Sequence, residues 1–235
     1  MVGAVVLAAG LSTRLGRAKQ LLPLGDRTVL ETTLAAVLAS RVSPVVVVVS
    51  PAVAAAGQPR LRDDRVTVVV NPHPERGQSS SLRVGLQALL KRAPEIRASV
   101  TVLGDQPLIP PALIDRLIAR FQEQVPPPLA VRPVSGGQPG MPVLVSRELF
   151  PEIMAVQGDT GARPVLQRHR DAVVTVEVDC PAIHQDLDTW ADYLAICRAL
   201  GVAPAAGPDE PAGGQVQPRP ERPEQRNTGS EEQPE

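Results

Sequence analysis

The chain has 235 residues, of which 43% are hydrophobic and 2% aromatic, and its formal net charge is −1. This length can bury one sizeable core, and the near-zero charge favours neither nucleic acid nor an acidic membrane surface as a partner. The two cysteines form neither a disulfide framework nor a metal motif, and no apolar run reaches the roughly 18 residues of a membrane helix. We therefore expect a cytoplasmic protein.

The first half of the chain alternates between apolar strands and amphipathic helices. Short, nearly continuous apolar runs predict buried strands at Val2–Ala8, Val45–Val49, Val66–Val70 and Val100–Leu103. Helices are predicted after Thr28, after an N-cap region at Ser79–Ser81, and from Pro110-Pro111 onward. This order predicts an α/β fold with a doubly wound, mostly parallel sheet.

Beyond residue 125 the alternation becomes irregular. Leu129–Val134 and Met141–Val145, joined by a glycine-rich turn, predict a hairpin-like insertion that is antiparallel or at a sheet edge. Further elements are predicted as helices at Arg147–Val156 and Gly161–His169, a strand at Ala172–Val178, and a last helix after Asp188-Thr189.

The end of the chain has no core-forming pattern. Residues 202–235 contain seven prolines, no Leu, Ile, Phe, Trp or Tyr, and a net charge of −4. Such a segment cannot bury enough apolar surface to offset the entropy of ordering. We therefore expect one domain over residues 1–201 and a disordered acidic tail over residues 202–235.

The segment after the first strand, LAAGLSTRLGRAK, combines small and basic residues. It has neither the GxGxxG spacing of a dinucleotide loop nor the spacing of a Walker loop. Ala8–Gly10 would let a flat ligand approach the backbone, Gly16 permits a turn, and Arg14 and Lys19 can neutralise a triphosphate. Lys19 stands out because all but two of the 24 basic residues are arginines. A solvated basic loop is the alternative interpretation.

Two acidic segments indicate a divalent cation. Asp105 follows the strand Val100–Leu103, and ligands of open α/β sheets bind beyond the carboxyl ends of the strands. Asp186 and Asp188 lie two residues apart before the last helix, and one of them could complete the site. Mg²⁺ prefers one or two carboxylates together with substrate phosphates and water. For Asp105 and Asp188, simple capping of a turn or helix is the alternative.

Three further segments are candidates for substrate contacts. In ERGQSSSLRVGL, Gly77 permits close approach, and hydroxyl groups such as that of Ser81 could contact a base or ribose. GGQPGMPVL and QGDTGARPVL are glycine turns, and the second carries Asp159 and Arg163. Such loops often hold a second substrate, although ordinary turn chemistry explains them equally well. The three histidines lack metal-ligand spacing.

Six motifs, in this order, resemble the molybdenum cofactor cytidylyltransferase family of the MobA-like NTP transferase superfamily. They are LAAGLSTRLGRAK, GQSSSLRVGL, LGDQPLI, GQPGMPVL, GDTGAR and DLDTWADY, and the resemblance covers about residues 2–200. It implies a Rossmann-like nucleotidyltransferase fold. It also implies transfer of a nucleoside monophosphate from a Mg²⁺-bound triphosphate to a phosphorylated acceptor, with release of pyrophosphate. For this branch, the implied substrates are CTP and the molybdopterin cofactor.

The resemblance further implies a role for each matching position. Residues expected to bind the nucleotide are Ala8, Ala9, Gly10, Arg14, Gly16, Lys19, Gly77 and Ser81. Residues expected to face the acceptor are Gly140, Pro142, Asp159 and Arg163. Asp105 and Asp188 would hold Mg²⁺, and Arg14, Lys19 and Asp105 would be catalytic.

Two positions bear on which substrates the chain uses. The cytidylyl branch has LAAG where the guanylyl branch has LAGG, so Ala9 favours CTP over GTP. The chain departs from the family at Met141, where related sequences often have His or Arg, so we expect a different acceptor pocket there.

Two alternatives stay open at this point. A nucleotidyltransferase of the same fold could act on a sugar phosphate or polyol phosphate, or use GTP. A non-catalytic chaperone could instead carry a pterin cofactor to a partner enzyme. The acidic tail would then dock transiently to a molybdoenzyme or its chaperone, although a merely solvated tail is the simpler interpretation.

Overall fold

The computed structural model describes residues 1–12, 15, 17–57 and 63–207 of the chain. The strands are Val2–Ala8 (β1), Pro23–Leu24 (β2), Arg27–Thr28 (β3), Val45–Val49 (β4), Val66–Val70 (β5), Ala98–Leu103 (β6), Ala130–Ser135 (β7), Gln138–Pro139 (β8), Val143–Ser146 (β9) and Val173–Glu177 (β10). The α-helices are Val29–Leu38 (α1), Pro51–Ala55 (α2), Gln78–Arg92 (α3), Pro111–Glu123 (α4), Phe150–Ala155 (α5), Arg163–Arg168 (α6) and Trp190–Leu200 (α7).

One mixed sheet contains all of these strands except β2 and β3. Its order is β10-β7-β9-β6-β1-β4-β5, with β8 paired to β7. The pairs β1–β4, β4–β5, β1–β6 and β7–β10 are parallel, whereas β9 runs antiparallel to both β6 and β7. The predicted doubly wound, mostly parallel sheet is thus confirmed. The insertion is antiparallel as predicted, but β9 lies inside the sheet, and β10 forms that edge.

Both faces of the sheet are covered by helices, which is why the central strands β1, β4 and β6 are mostly apolar. Along β1, alternate side chains point to opposite faces. Val6 and Ala8 belong to the core cluster that includes α1 and α4, whereas Leu7 and Ala9 belong to the cluster that includes α3, α5 and α6. Ala8 and Ala9 therefore face opposite sides of the sheet.

A third, smaller apolar cluster joins α7 to the β2–β3 hairpin. The helix begins with a capping box, in which Thr189 and Asp192 each bond the other's backbone N–H. The buried Tyr193 donates its hydroxyl to Pro23 O at 2.6 Å and accepts from the Ala205 N–H at 2.8 Å. Val202 packs against the same cluster.

The compact unit of the chain extends from Met1 to Ala205, and a second unit comprises residues 206–235. Of the second unit, only residues 206 and 207 are described. The predicted tail therefore falls mostly outside the described residues, and its boundary at residue 201 stays a prediction. Within the described ranges, no helix combines the length and apolar character needed to cross a membrane.

Candidate active site

Lys19 and Gln20 are bonded to residues that directly follow β1. The Lys19 backbone N–H donates to Ser12 Oγ at 3.0 Å, and Gln20 Nε2 donates to Gly10 O at 3.3 Å. Because Gln20 is buried, this second contact holds Lys19 and Gln20 beside the end of β1. Arg14 and Gly16 lie outside the described residues, so their roles stay predictions.

Asp105 and Asp188 come together through backbone contacts at the same edge of the sheet. β6 lies beside β1, and the Gly104 N–H donates to Leu7 O at 2.8 Å, which places Asp105 next to the loop. The Leu187 N–H then donates to Asp105 O at 3.2 Å. This bond brings the segment before α7 against the end of β6, so that Asp188 lies near Asp105.

The side chain of Lys19 connects these two carboxylates. Its Nζ lies 2.5 Å from Asp105 Oδ2 and 2.7 Å from Asp188 Oδ1. The exposed fractions of the side chains are 13% for Lys19, 12% for Asp105 and 46% for Asp188, so the site opens to solvent on the Asp188 side. Burial alone would lower the pKa of Lys19, but the carboxylates of Asp105 and Asp188 outweigh it and raise that pKa. Lys19 is therefore charged at neutral pH.

Asp186 is a third carboxylate at this edge, and the sequence interpretation left it as an alternative to Asp188. Gln106 Nε2 donates to Asp186 Oδ1 at 2.7 Å. Partial desolvation, followed by the charge of Asp105, raises the pKa of Asp186 above its usual value even though the residue keeps substantial solvent contact. The extra negative charge makes this edge favourable for a cation.

The donor set fits a metal ion that is shared with a substrate. Among the described residues, no group of three or more His, Cys, Asp or Glu side chains could hold a metal by itself. Asp105 and Asp188 nevertheless converge on one cationic group, the ammonium of Lys19. Mg²⁺ needs only one or two carboxylates when phosphates and water supply its remaining ligands. The pair is therefore suited to a metal that arrives with a triphosphate.

The N-terminus of α3 is held by a loop that is distant in sequence. Gly77 is the N-cap residue with φ of +86°, and a Cβ there would lie 2.7 Å from backbone atoms of Gly158 and Asp159. Asp159 Oδ1 accepts the Gln78 N–H at 2.9 Å, and Gly158 O accepts the Ser79 N–H at 3.2 Å. Only glycine permits both this backbone conformation and this close approach.

The prediction of an N-cap region at Ser79–Ser81 is wrong, because the N-cap residue is Gly77. The helix begins at Gln78, so Ser79–Ser81 form its first turn, and the cap is supplied by Asp159. Ser80 and Ser81 instead accept from Nδ2 of the buried Asn71, at 2.8 and 2.9 Å. This contact was not predicted, because nothing near Asn71 in the chain marks it as a partner of these serines.

A cavity of about 510 Å³ adjoins the Lys19 cluster. The predicted nucleotide and metal residues that line it are Ala9, Gly10, Lys19, Gly77, Ser81, Asp105 and Asp188. Ala8 does not line it, because strand alternation directs its methyl group into the opposite core cluster. Gln20 and Gln78 also line the cavity and were not predicted.

A second cavity, of about 390 Å³, adjoins the first. Both cavities are lined by Leu7, Gln78, Leu103, Asp159 and Asp186. The predicted acceptor residues Gly140, Asp159 and Arg163 line the second cavity, together with Met141. Pro142 is buried and is not part of its lining. Two cavities that share a wall beside one charged cluster can hold two substrates next to each other.

Arg132 on β7 also lines the second cavity and was not predicted. The available signal was a single charged residue inside an otherwise apolar strand, AVRPVS. Long charged side chains are rarely placed in such strands without a partner or a ligand.

Comparison with known proteins identifies the family to which these features correspond. The sequence profile of the MobA-like NTP transferase domain matches residues 4–173. Molybdenum cofactor cytidylyltransferase of Escherichia coli (strain K12) is 24% identical over 198 residues, which cover 82% of this chain and 94% of that protein. Purine catabolism protein PucB of Bacillus subtilis (strain 168) is 29% identical over 205 residues, which cover 83% of this chain and 96% of that protein.

Solved structures of Rv0371c from Mycobacterium tuberculosis H37Rv are similar over nearly their whole length. One has a TM-score of 0.70 and 34% identity, covering 84% of this chain and 97% of Rv0371c. Another is a complex with manganese and has a TM-score of 0.67 and 30% identity, covering 84% of this chain and 98% of Rv0371c. The predicted nucleotidyltransferase fold is thereby confirmed.

Proposed function

The chain belongs to the MobA-like NTP transferase family, and on this premise we propose that it transfers CMP from Mg²⁺-bound CTP to the terminal phosphate of the molybdopterin cofactor. That it is a nucleotidyltransferase follows from the family. The choice of CTP is supported by the LAAG form of the loop at Ala9, and the choice of acceptor by the similarity to the Escherichia coli enzyme. We expect the reaction to take place in the cytoplasm, where Cys180 and Cys197, both free, would stay reduced.

The observation that carries this proposal is the position of Lys19 between Asp105 and Asp188, beside both cavities. The first cavity is lined by Gly10, Lys19, Gly77 and Ser81, among others, and we assign it to CTP. The second contains Gly140, Asp159 and Arg163, and we assign it to the acceptor. The shared wall would bring the acceptor phosphate next to the α-phosphorus of CTP. Alignment of this kind accounts for much of the rate of a group transfer.

The reaction requires the protein mainly to position the two substrates and to neutralise negative charge. An oxygen of the acceptor phosphate forms the new bond to the α-phosphorus, the bond from that phosphorus to the β-phosphate oxygen breaks, and pyrophosphate leaves. The acceptor phosphate is already an anion, so no general base is required. Asp105 and Asp188 would hold Mg²⁺, which neutralises charge on the triphosphate. Lys19, protonated at neutral pH, would stabilise the charge that moves onto pyrophosphate.

The proposal is tested by incubating the protein with Mg²⁺, CTP or GTP, and molybdopterin cofactor, and by measuring pyrophosphate release and product mass. We expect a cytosine dinucleotide product. A guanine dinucleotide product would show that the chain uses GTP, like the guanylyl branch. Turnover only with a sugar phosphate or polyol phosphate would show that such a compound, and not the molybdopterin cofactor, is the acceptor. Tight binding of the cofactor without any triphosphate turnover would favour a chaperone and overturn the proposed activity.

A further inference from the structure

Arg132 is a charged residue in the interior of the sheet. It lies on β7, between β9 and β10, and its neighbours Val131 and Pro133 are buried. Its Nε is shielded from solvent and has no hydrogen-bond partner among the described residues. A buried donor without a partner costs about 1–3 kcal/mol. An unpartnered buried donor in a folded protein indicates local strain, a functional role, or a group outside the chain that bonds it, such as an ordered water or a ligand.

The floor of the second cavity is one face of four neighbouring strands. The residues that contribute to it, taken from β1 through β6 and β9 to β7, are Leu7, Leu103, Thr101, Val143, Val145 and Arg132. Leu7 and Leu103 also line the first cavity, whereas Arg132 does not. With a strand spacing of about 4.8 Å, β7 lies about 14 Å from β1. Arg132 therefore marks the end of the cavity remote from the nucleotide.

The two carboxylates in this cavity are engaged elsewhere. Asp159 accepts the Gln78 N–H, and Asp186 accepts from Gln106. Within the described part of the chain, no carboxylate forms a salt bridge with Arg132. Between Arg132 and the nucleotide side the floor is mostly apolar, with Leu103 and Val143 as its middle. The floor thus provides a flat apolar surface that ends in a guanidinium group.

We propose that Arg132 is a specificity residue that binds an oxygen acceptor group, a carbonyl or carboxylate, at the end of the acceptor opposite its reacting phosphate. This inference rests on the proposed function in assigning the second cavity to the acceptor. It implies an extended acceptor with a flat apolar middle long enough to reach from the phosphate near Lys19 to β7. A short polyol phosphate would neither cover Leu103 and Val143 nor reach Arg132.

The test uses a probe that requires no turnover. Pterin-6-carboxylic acid carries a flat ring with oxygen acceptors, and its binding to the full chain is measured by calorimetry without nucleotide. We expect Arg132→Met to weaken binding at least about tenfold, and Arg132→Lys to weaken it less because it keeps the charge but not the planar fork of donors. Arg116→Met is the matched control, since Arg116 is exposed on α4 and its hydrogen bond among the described residues is to Glu177 O.

Melting temperature and Mg²⁺–CTP binding separate a ligand-binding role from a structural one. Methionine keeps the packing of the side-chain stem and removes the unmatched donor. We therefore expect Arg132→Met to melt no lower than the unmodified chain and to bind Mg²⁺–CTP unchanged. No binding of the pterin to the unmodified chain at millimolar concentration, equal binding by Arg132→Met, or a parallel loss of melting temperature and CTP affinity would each overturn the inference.

The same variants distinguish failure of this inference from failure of the proposed function. If CMP transfer to the cofactor is observed and Arg132→Met leaves the acceptor KM unchanged, the function stands and the role of Arg132 is refuted. If no CMP transfer is observed but Arg132→Met still weakens pterin binding, the subsite stands and the proposed reaction is wrong.

Discussion

A compact ammonium group suits the position of Lys19. Its Nζ approaches one oxygen of Asp105 and one of Asp188, which come from different segments of the chain. An ammonium is a point charge with three rotatable donors, whereas a guanidinium is planar and presents its donors in a fixed fork. A chain that uses arginine for almost all of its other positive charge therefore has a physical reason for lysine here.

Replacing Lys19 with arginine keeps the charge and changes its shape. We expect Lys19→Arg to lower kcat by about 100-fold or more, the range seen when one stabilising donor is lost from a transition state. The measurement is pyrophosphate release with saturating CTP and acceptor. Lys91→Arg is the matched control, because Lys91 is exposed in the last turn of α3 and is the other lysine of the chain. A Lys19→Arg variant with the unmodified rate would contradict the charge geometry described above.

Removing the carboxylate of Asp105 tests the metal assignment. We expect Asp105→Ala to reduce Mg²⁺-dependent pyrophosphate release by about 1,000-fold or more, because that carboxylate would both bind the ion and orient Lys19. Lys19 would keep its contact with Asp188, so the variant should fold, which its melting temperature checks. The control is Asp171→Ala, whose side chain is 97% exposed. Turnover near the unmodified rate in Asp105→Ala would remove the basis of the assignment.

At the scale of elements, local patterns were sufficient for the strands but not for the helix end that forms the site. β1, β4 and β5 have the bounds that their apolar runs predicted. The N-terminus of α3 was predicted too late in the chain, because serines are common N-cap residues. The group that accepts the Gln78 N–H is instead the side chain of Asp159, 81 residues away. Sequence patterns describe neighbours along the chain, and this cap depends on a neighbour in space.

The contact between α3 and the segment that carries Asp159 can be tested at its closest point. Gly77→Ala would place a methyl group 2.7 Å from the backbone of Gly158 and Asp159, and it would also strain a positive φ. We expect KM to rise for both substrates and stability to fall by about 3 kcal/mol or more.

Gly158→Ala is the matched control, because its φ of +82° is similar but a Cβ there meets nothing within 4 Å. We expect Gly158→Ala to cost only about 1 kcal/mol in stability, with little change in KM. Equal effects of the two substitutions would mean that backbone strain, and not the contact, is responsible.

A pH-dependent ion pair joins α5 to the end of α6, the helix that follows the segment carrying Asp159. Glu152 accepts from Arg168 at 2.9 Å and lies 2.9 Å from His169 Nε2, and these contacts hold the pKa of Glu152 below its ordinary 4.5. A lowered pKa contributes stability above the unfolded value, and that stability is lost as the pH falls through the folded value. We expect Glu152→Gln to melt slightly lower than the unmodified chain at pH 7, with the difference shrinking below pH 4.5. A difference that persists unchanged at pH 3 would rule out this ion pair as its cause.

At the scale of the whole molecule, the candidate site depends on contacts between distant segments. Lys19 and Asp188 are 169 residues apart, and the Leu187 N–H to Asp105 O bond joins the end of β6 to the start of α7. The sequence predicted which residues could take part, since basic and acidic side chains that follow buried strands lie where the ligands of open α/β sheets bind. It could not predict that they would pair with one another, because pairing depends on the register of the sheet and on where α7 docks.

The docking of α7 leads to a prediction about where the chain can be shortened. A chain that ends at residue 207 keeps Val202 in the third core cluster and the Ala205 N–H on Tyr193, whereas a chain that ends at residue 201 loses both. We expect the shorter chain to melt about 3–6 °C lower, since burying such a side chain contributes about 1–2 kcal/mol. We also expect the chain ending at 201 to lose activity, because α7 begins two residues after Asp188.

The chain ending at 207 should match the full chain in melting temperature and kcat, since the composition of residues 208–235 predicts no core contribution. A chain ending at 207 that melts as low as the one ending at 201 would show that the acidic tail contributes to the fold.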